Sequence, residues 1–152
     1  MKKYIILLLF VLFTSCMNET EITITKVVGS PEYANAELSL EEPTIIDDEY
    51  EFSFNVNRYE LGLQTLRDFK YSLANSAKGQ HIHFIVNNDP YSAHYNEKFS
   101  KKLEGNSNVV LAFLSRSYHE SVKNKNAFVL IQLGEQNIDL NNEFLFYSRP
   151  KG

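Results

Sequence analysis

Residues 51–57 read Glu51-Phe52-Ser53-Phe54-Asn55-Val56-Asn57. Side chains alternate faces along a strand, so Phe52, Phe54 and Val56 share one face and Glu51, Ser53, Asn55 and Asn57 the other. One apolar face and one polar face describe a strand half-buried in an antiparallel sheet. The same grammar recurs on both sides. Residues 22–28 (ITITKVV) are rich in β-branched residues and read as a first strand, broken by Gly29-Ser30-Pro31. Residues 36–40 form a short second strand. Glu41-Glu42-Pro43 and Asp47-Asp48 mark a polar loop whose paired acids act as solubilising charge.

Downstream, residues 80–87 (QHIHFIVN) form a strand that stops at Asn88-Asp89-Pro90, and residues 91–95 pair back across that turn. Residues 108–115 (NVVLAFLS) are apolar on both faces, which places them centrally in a sheet; residues 127–133 are similar, and residues 144–147 give a last strand. Residues 59–78 have a broken periodicity, with Leu61, Leu63, Leu66, Phe69 and Leu73 fitting neither helix nor strand. They read as a long, partly packed loop with room for one helical turn, a type of segment that is often functional. Seven to eight short strands separated by polar turns predict an all-β fold, a β-sandwich, with an immunoglobulin-like arrangement as the expected version. The 11 Phe and 9 Tyr, with no Trp, suit strands.

The N-terminus has a different character. Met1-Lys2-Lys3 precedes ten apolar residues, Tyr4 to Phe13, and then Thr14-Ser15-Cys16. A membrane span needs about 20 apolar residues, so this is a secretory signal. With its lone cysteine after small residues it resembles a bacterial lipoprotein signal, although Phe13 stands where Leu is usual. That resemblance implies cleavage after residue 15, lipidation of Cys16, a tether over residues 16–21 and one domain over residues 22–152. It implies a membrane partner through the N-terminal lipid and a place in the cell envelope, with the outer membrane expected. Glu19 and Glu21 hint at surface export.

The net charge is −4 at pH 7, and losing Lys2 and Lys3 with the leader makes it more negative. Nucleic-acid binding needs a basic face and is not expected. Cys16 is the only cysteine, so the domain has no disulfide and no free thiolate to offer a metal. There is no Gly-rich phosphate loop, dinucleotide fingerprint or EF-hand spacing.

The chemistry-bearing residues are the four histidines, His81, His83, His94 and His119. Ile82, Phe84 and Val86 form the core-facing set of their strand, which puts His81 and His83 together on the opposite face with Ile85. Two imidazoles two residues apart on a strand can reach one ion, and copper or zinc suits them. A further ligand would come from His94, His119 or the Glu120 carboxylate. Such a site empties below about pH 6, where imidazole protonates. Replacing both His81 and His83 by alanine is expected to abolish binding and leave the fold intact. The other reading has the histidines hydrogen-bonding and packing, and the residues alone leave both open.

A second cluster, residues 115–121 (SRSYHES), follows the central strand as a polar loop. Arg116 with Lys123 and hydroxyls such as that of Tyr118 could hold an anion, beside Gln80 and Glu120. The plainer reading pairs Arg116 with an acid such as Glu120. A hydrolase using His119 with a serine lacks the GxSxG elbow.

These residues carry a resemblance. YELGLQT at 59–65, ANSAKGQHIHFI at 74–85, Pro90-Tyr91 and residues 115–123 together resemble a family of small exported lipoproteins from Gram-negative bacteria, some of them labelled phosphopeptide-binding. The likeness spans most of residues 59–127, and GQHIHFI is its most specific piece. A more distant likeness is to a periplasmic domain of unknown function with a His-rich strand, a strand after a glycine and a His-containing loop. His81 and His83, Gly105 with Val109 to Leu114, and His119 follow that layout, but Asn106-Ser107-Asn108 stands where that domain carries a further histidine. Neither family brings an established activity. The expectation is a non-enzymatic, lipid-anchored binding module, with a protein, peptide or small ligand as its partner.

Overall fold

The computed structural model describes residue 23 and residues 28–69, 72–135, 138–141 and 145–148. The leader, Cys16, the tether and most of the expected first strand fall outside these residues. Thr23 and Val28, which are described, are not in a strand.

Among the described residues there is no helix, and eight strands form two antiparallel sheets of four. The first sheet is built on β3 (Glu49–Asn57). β1 (Glu37–Leu40) pairs with its C-terminal half, from Leu40 opposite Phe54 to Glu37 opposite Asn57. β2 (Thr44–Ile46) and β6 (Lys98–Lys101) both pair with Tyr50 and Glu51, and so flank β3 on opposite sides. The expected loop at residues 41–48 is therefore partly a hairpin. Asp47 and Asp48 have φ of 49° and 62°, the left-handed pair of a two-residue turn whose twist matches the strands it joins.

The second sheet runs β5 (Ser92–His94), β4 (His81–Val86), β7 (Ser107–Ser115), β8 (Phe128–Gly134). Ile82, Phe84 and Val86 lie opposite Leu114, Ala112 and Val110 across β4 and β7, and these six side chains form its inner face. Phe52 and Phe54 of β3 meet them. The Phe84 ring stands edge-on to Phe52 at 4.7 Å and to Phe99 of β6 at 5.1 Å, geometry that ring quadrupoles favour. A backbone hydrogen bond from Leu38 to Asn126 (2.8 Å) ties β1 to the approach of β8. The β-sandwich expected from the sequence is present, and its strand order does not single out an immunoglobulin-like arrangement. The last expected strand is a correction. Residues 145–148 are described and are not in a strand; instead they cross the outer face of the second sheet, where the Tyr147 amide donates to Asn88 Oδ1 (2.7 Å). Phe144 lies outside the described residues.

The long segment after β3 has no helical turn in its described part. Two backbone hydrogen bonds hold it to the start of β4, Gly62 to the Gln80 carbonyl and Gln80 to the Leu63 carbonyl (2.8 Å each). Gly79 makes this approach possible. Its φ is 86°, and a Cβ there would overlap the Gly62 carbonyl. Gln80 is fully buried, with both ends of its amide hydrogen-bonded. It accepts from Tyr33 (2.6 Å) and Thr65 (3.0 Å) and donates to the Glu60 carbonyl (2.6 Å).

Two substitutions separate packing from polarity. Phe84→Ala empties the centre of the aromatic cluster and should lower the unfolding free energy by about 3–5 kcal/mol. Tyr59 has a buried hydroxyl with no hydrogen-bond partner among the described residues. Tyr59→Phe removes an unpaid desolvation cost, and urea denaturation should show unchanged stability or a gain of about 1 kcal/mol.

Candidate metal centre

His81 and His83 project from the outer face of β4, a face that would meet solvent in a simple sandwich. Here all six β4 residues are buried. The Tyr91 ring stacks on His83 at 3.8 Å and 10°. Phe113, opposite His83 on β7, lies 5.0 Å away, and Tyr95 packs against His81 at 5.1 Å.

The third imidazole arrives through the end of β7. Ser115 pairs with His81 and also bridges to Ser121, so the chain between folds as a tight hairpin. Its closing bonds run from the Arg116 amide to the Glu120 carbonyl and from the His119 amide to the Arg116 carbonyl, both 2.9 Å. His119 has a φ of 65°, the left-handed position that glycine or asparagine fills at least cost in such loops. The hairpin stays beside the His81 end of β4, and the His119 ring comes within 5.1 Å of His81 and 5.6 Å of His83.

The three side chains can offer one nitrogen each, all within 4.8 Å of one another. The Nε2 atoms of His81 and His83 are 2.8 Å apart, and His119 Nδ1 is 3.4 Å from His83 Nε2. Proton positions follow from the neighbours. His81 Nδ1 is 2.8 Å from the Gly79 carbonyl, which can only accept, so the proton sits on Nδ1 and Nε2 is bare. The 2.8 Å contact then needs a proton on His83 Nε2, and His83 Nδ1 accepts from Ser148 Oγ at 2.9 Å. Ser148 can equally accept. If an ion takes both Nε2 atoms, the His83 proton moves to Nδ1 and donates to Ser148. Gly79 and Ser148 thus fix the two rings from behind, as outer partners of metal-bound histidines do. The Tyr91 hydroxyl lies 3.2 Å from His119 Nδ1.

Burial favours the neutral imidazoles, the state that coordination requires. Desolvation, reinforced by His81 and His119, pushes His83 down to about 3. Desolvation also lowers His81, against the hydrogen bond to Gly79, and lowers His119. A cleft of about 400 Å³ opens onto His83 and His119, with Tyr91, Phe113, Ser121 and Ser148 in its walls.

The other expected site residues lie elsewhere. His94 is opposite Ile82 in the β4–β5 register, which puts it on the inner face. It stacks on Phe99 at 3.4 Å, bonds Ser92 Oγ at 2.8 Å and does not join the cluster. The Glu120 carboxylate turns away to accept from Ser30 Oγ at 2.5 Å. Arg116, 3% exposed, donates to the Pro31 and Ser121 carbonyls and lies 3.8 Å from Glu120, so its guanidinium chiefly ties chain segments together. Tyr118 is buried with its hydroxyl on Ser30 Oγ (2.9 Å), and Lys123 donates to Ser121 Oγ (2.8 Å). Gln80 is the buried hub described above. Sequence reasoning missed Tyr91 and Ser148 as neighbours of the histidines; Ser148 lies 65 residues from His83 and carries no local signal.

Comparison with protein-family models, with curated proteins and with solved structures finds no match for this chain.

The buried histidines should make the metal-free fold acid-labile. His83 and His94, the latter held at about 4 by burial and Lys101, bind fewer protons when folded than when unfolded, where imidazole titrates near 6.5. Their contribution is complete above pH 6.5 and is lost as the pH falls towards the folded values. Between pH 8 and pH 5 each should cost about 2 kcal/mol of stability. Chemical denaturation at the two pH values checks this, and a flat profile would show that the rings are not held neutral.

Proposed function

We propose that this protein is a lipid-anchored cell-envelope module that binds a divalent transition metal through His81, His83 and His119. The convergence of three buried imidazoles from β4 and the β7 hairpin carries the reading. Histidine is the commonest metal ligand, and three neutral imidazoles with an accessible side make a site that keeps one position open. At metal–nitrogen bonds of about 2.05 Å, the 2.8 Å separation of His81 and His83 subtends roughly 86° and the 3.4 Å separation of His83 and His119 roughly 112°. The three nitrogens spread over as much as 4.8 Å, more than the roughly 4.1 Å that two such bonds span, so one ring closes in on binding and both copper(II) and zinc remain in the proposal. The envelope location rests on the signal pattern ending at Cys16.

The His119 backbone supports the same reading. A non-glycine residue in the left-handed region is a local strain of about 1–3 kcal/mol. That conformation places the His119 ring against His81, His83 and Tyr91.

A second reading has one observation in its favour. Gly79, His81, His83 and Ser148 already form a continuous hydrogen-bonded chain without any ion. In that reading the histidines are structural and the module binds a protein or peptide through its loops.

Calorimetric titration of the full chain in detergent with copper and zinc separates the two. One ion per chain is expected, with loss of binding when His81 and His83 are both replaced by alanine. Both side chains are almost fully buried, so that double substitution also removes packing and cannot be assumed to leave the fold intact. His119→Gly is the cleaner variant: it should lose at least tenfold in metal affinity while the metal-free protein gains about 1 kcal/mol from relief of the backbone. Unaltered affinity in both variants would leave the structural reading. Because burial holds all three imidazoles below their ordinary value, the acid loss of affinity should lie below the pH 6 of a free-imidazole site.

A further inference from the structure

The His81, His83, His119 cluster contains no carboxylate. The chain's one cysteine is the expected lipidation site and offers no thiolate. A divalent ion held by three neutral imidazoles keeps both of its charges. Leaving that charge uncompensated in a site walled by Tyr91 and Phe113 is costly, because desolvated charge is stable only when paired.

The shape of the site says where the compensation enters. His81 has no exposed surface and does not line the cleft, so it forms the floor behind the ion. His83 and His119 border the cleft, and a coordination position not taken by the protein therefore faces it. The volume of about 400 Å³ lies within the range of small-molecule pockets. Its lining combines the aromatic residues Tyr91 and Phe113 and Ala74 with the hydroxyl-bearing Ser121 and Ser148. None of these groups carries a negative charge at neutral pH.

One hydroxyl is positioned to respond to the metal. Tyr91 Oη lies 3.2 Å from His119 Nδ1, the nitrogen that an ion in this cluster would take. Once Nδ1 is coordinated it no longer accepts, and the Tyr91 proton is left facing the open position. A bound anion with a second oxygen supplies its new acceptor.

We infer that the metal-loaded site takes a small organic carboxylate with a flat apolar body as its exogenous ligand. One carboxylate oxygen would coordinate the ion, the other would accept from Tyr91, and the apolar body would lie along the cleft wall that includes Ala74 and Phe113. This rests on the metal-binding reading above and adds the ligand class to it.

The test uses the full chain in detergent loaded with cobalt(II), whose visible bands report a change of ligand directly. Benzoate is the probe, acetate lacks the apolar body, and benzamide lacks the charge. The expected result is a saturable band shift with benzoate, at least tenfold weaker binding of acetate, and no shift with benzamide. In protein kept saturated with cobalt, Tyr91→Phe should weaken benzoate about tenfold, and Phe113→Ala should narrow the gap between benzoate and acetate. Cobalt bound one to one with bands that benzoate leaves unchanged would overturn the inference and spare the metal reading. Benzoate and benzamide acting alike, or benzoate binding no tighter than acetate, would overturn it too. Failure of the chain to bind cobalt, copper or zinc would remove both.

Discussion

The structure turns on the burial of β4 from both sides. Its inner face, Ile82, Phe84 and Val86, belongs to the hydrophobic core, as any sandwich strand's does. Its outer face carries two histidines, yet it is covered by Tyr91, Phe113, Tyr95 and the crossing segment at residues 145–148, apart from the cleft beside His83 and His119. A polar strand face can be closed in this way only if every ring nitrogen has a partner, since an orphaned buried polar group costs about 1–3 kcal/mol. The Gly79 carbonyl and the Ser148 hydroxyl meet that requirement, and the loop that Gly62 and Gly79 bring together holds the first of them in place. Loop packing, strand burial and the protonation state of the cluster are thus one problem with one solution.

The same sealing separates the roles of the two regions rich in polar side chains. At the cluster, burial strips the imidazoles of charge and gathers one nitrogen from each ring. Around Arg116 burial acts differently. That side chain is instead wrapped in backbone carbonyls, with the Tyr33 ring face 5.5 Å from its centre. One region becomes a set of neutral donors and the other a cationic rivet between residues 30–33 and the β7 hairpin.

Much of this was written in the residue pattern, and the rest could not have been. β3, β4, β7 and β8 were legible because each is long enough to show alternation or a sustained apolar run. β2 and β6 were not, because β2 has three exposed residues and β6 has a single inward aromatic, Phe99, in KFSK. The pairing of His81 with His83 follows from strand parity alone. Admitting His119 and excluding His94 needed the register: Ser115 opposite His81 carries one histidine towards the pair, and Ile82 opposite His94 carries the other to the far face. Tyr91 and Ser148 reach the cluster by tertiary packing, which no local spacing encodes.

The distance along the chain between His83 and Ser148 bears on when the cluster can exist at all. β4 emerges from a growing or threading chain 65 residues before the hydroxyl that completes its outer face. Until then the two histidines sit on an open strand face, free to protonate and to exchange with water. The strand itself can pair early with β5 and β7, but the bond that closes its outer face needs a contact 65 residues away. The three imidazoles can therefore be brought together by the chain up to the β7 hairpin, whereas the closed, fully hydrogen-bonded cluster is a product of the finished fold.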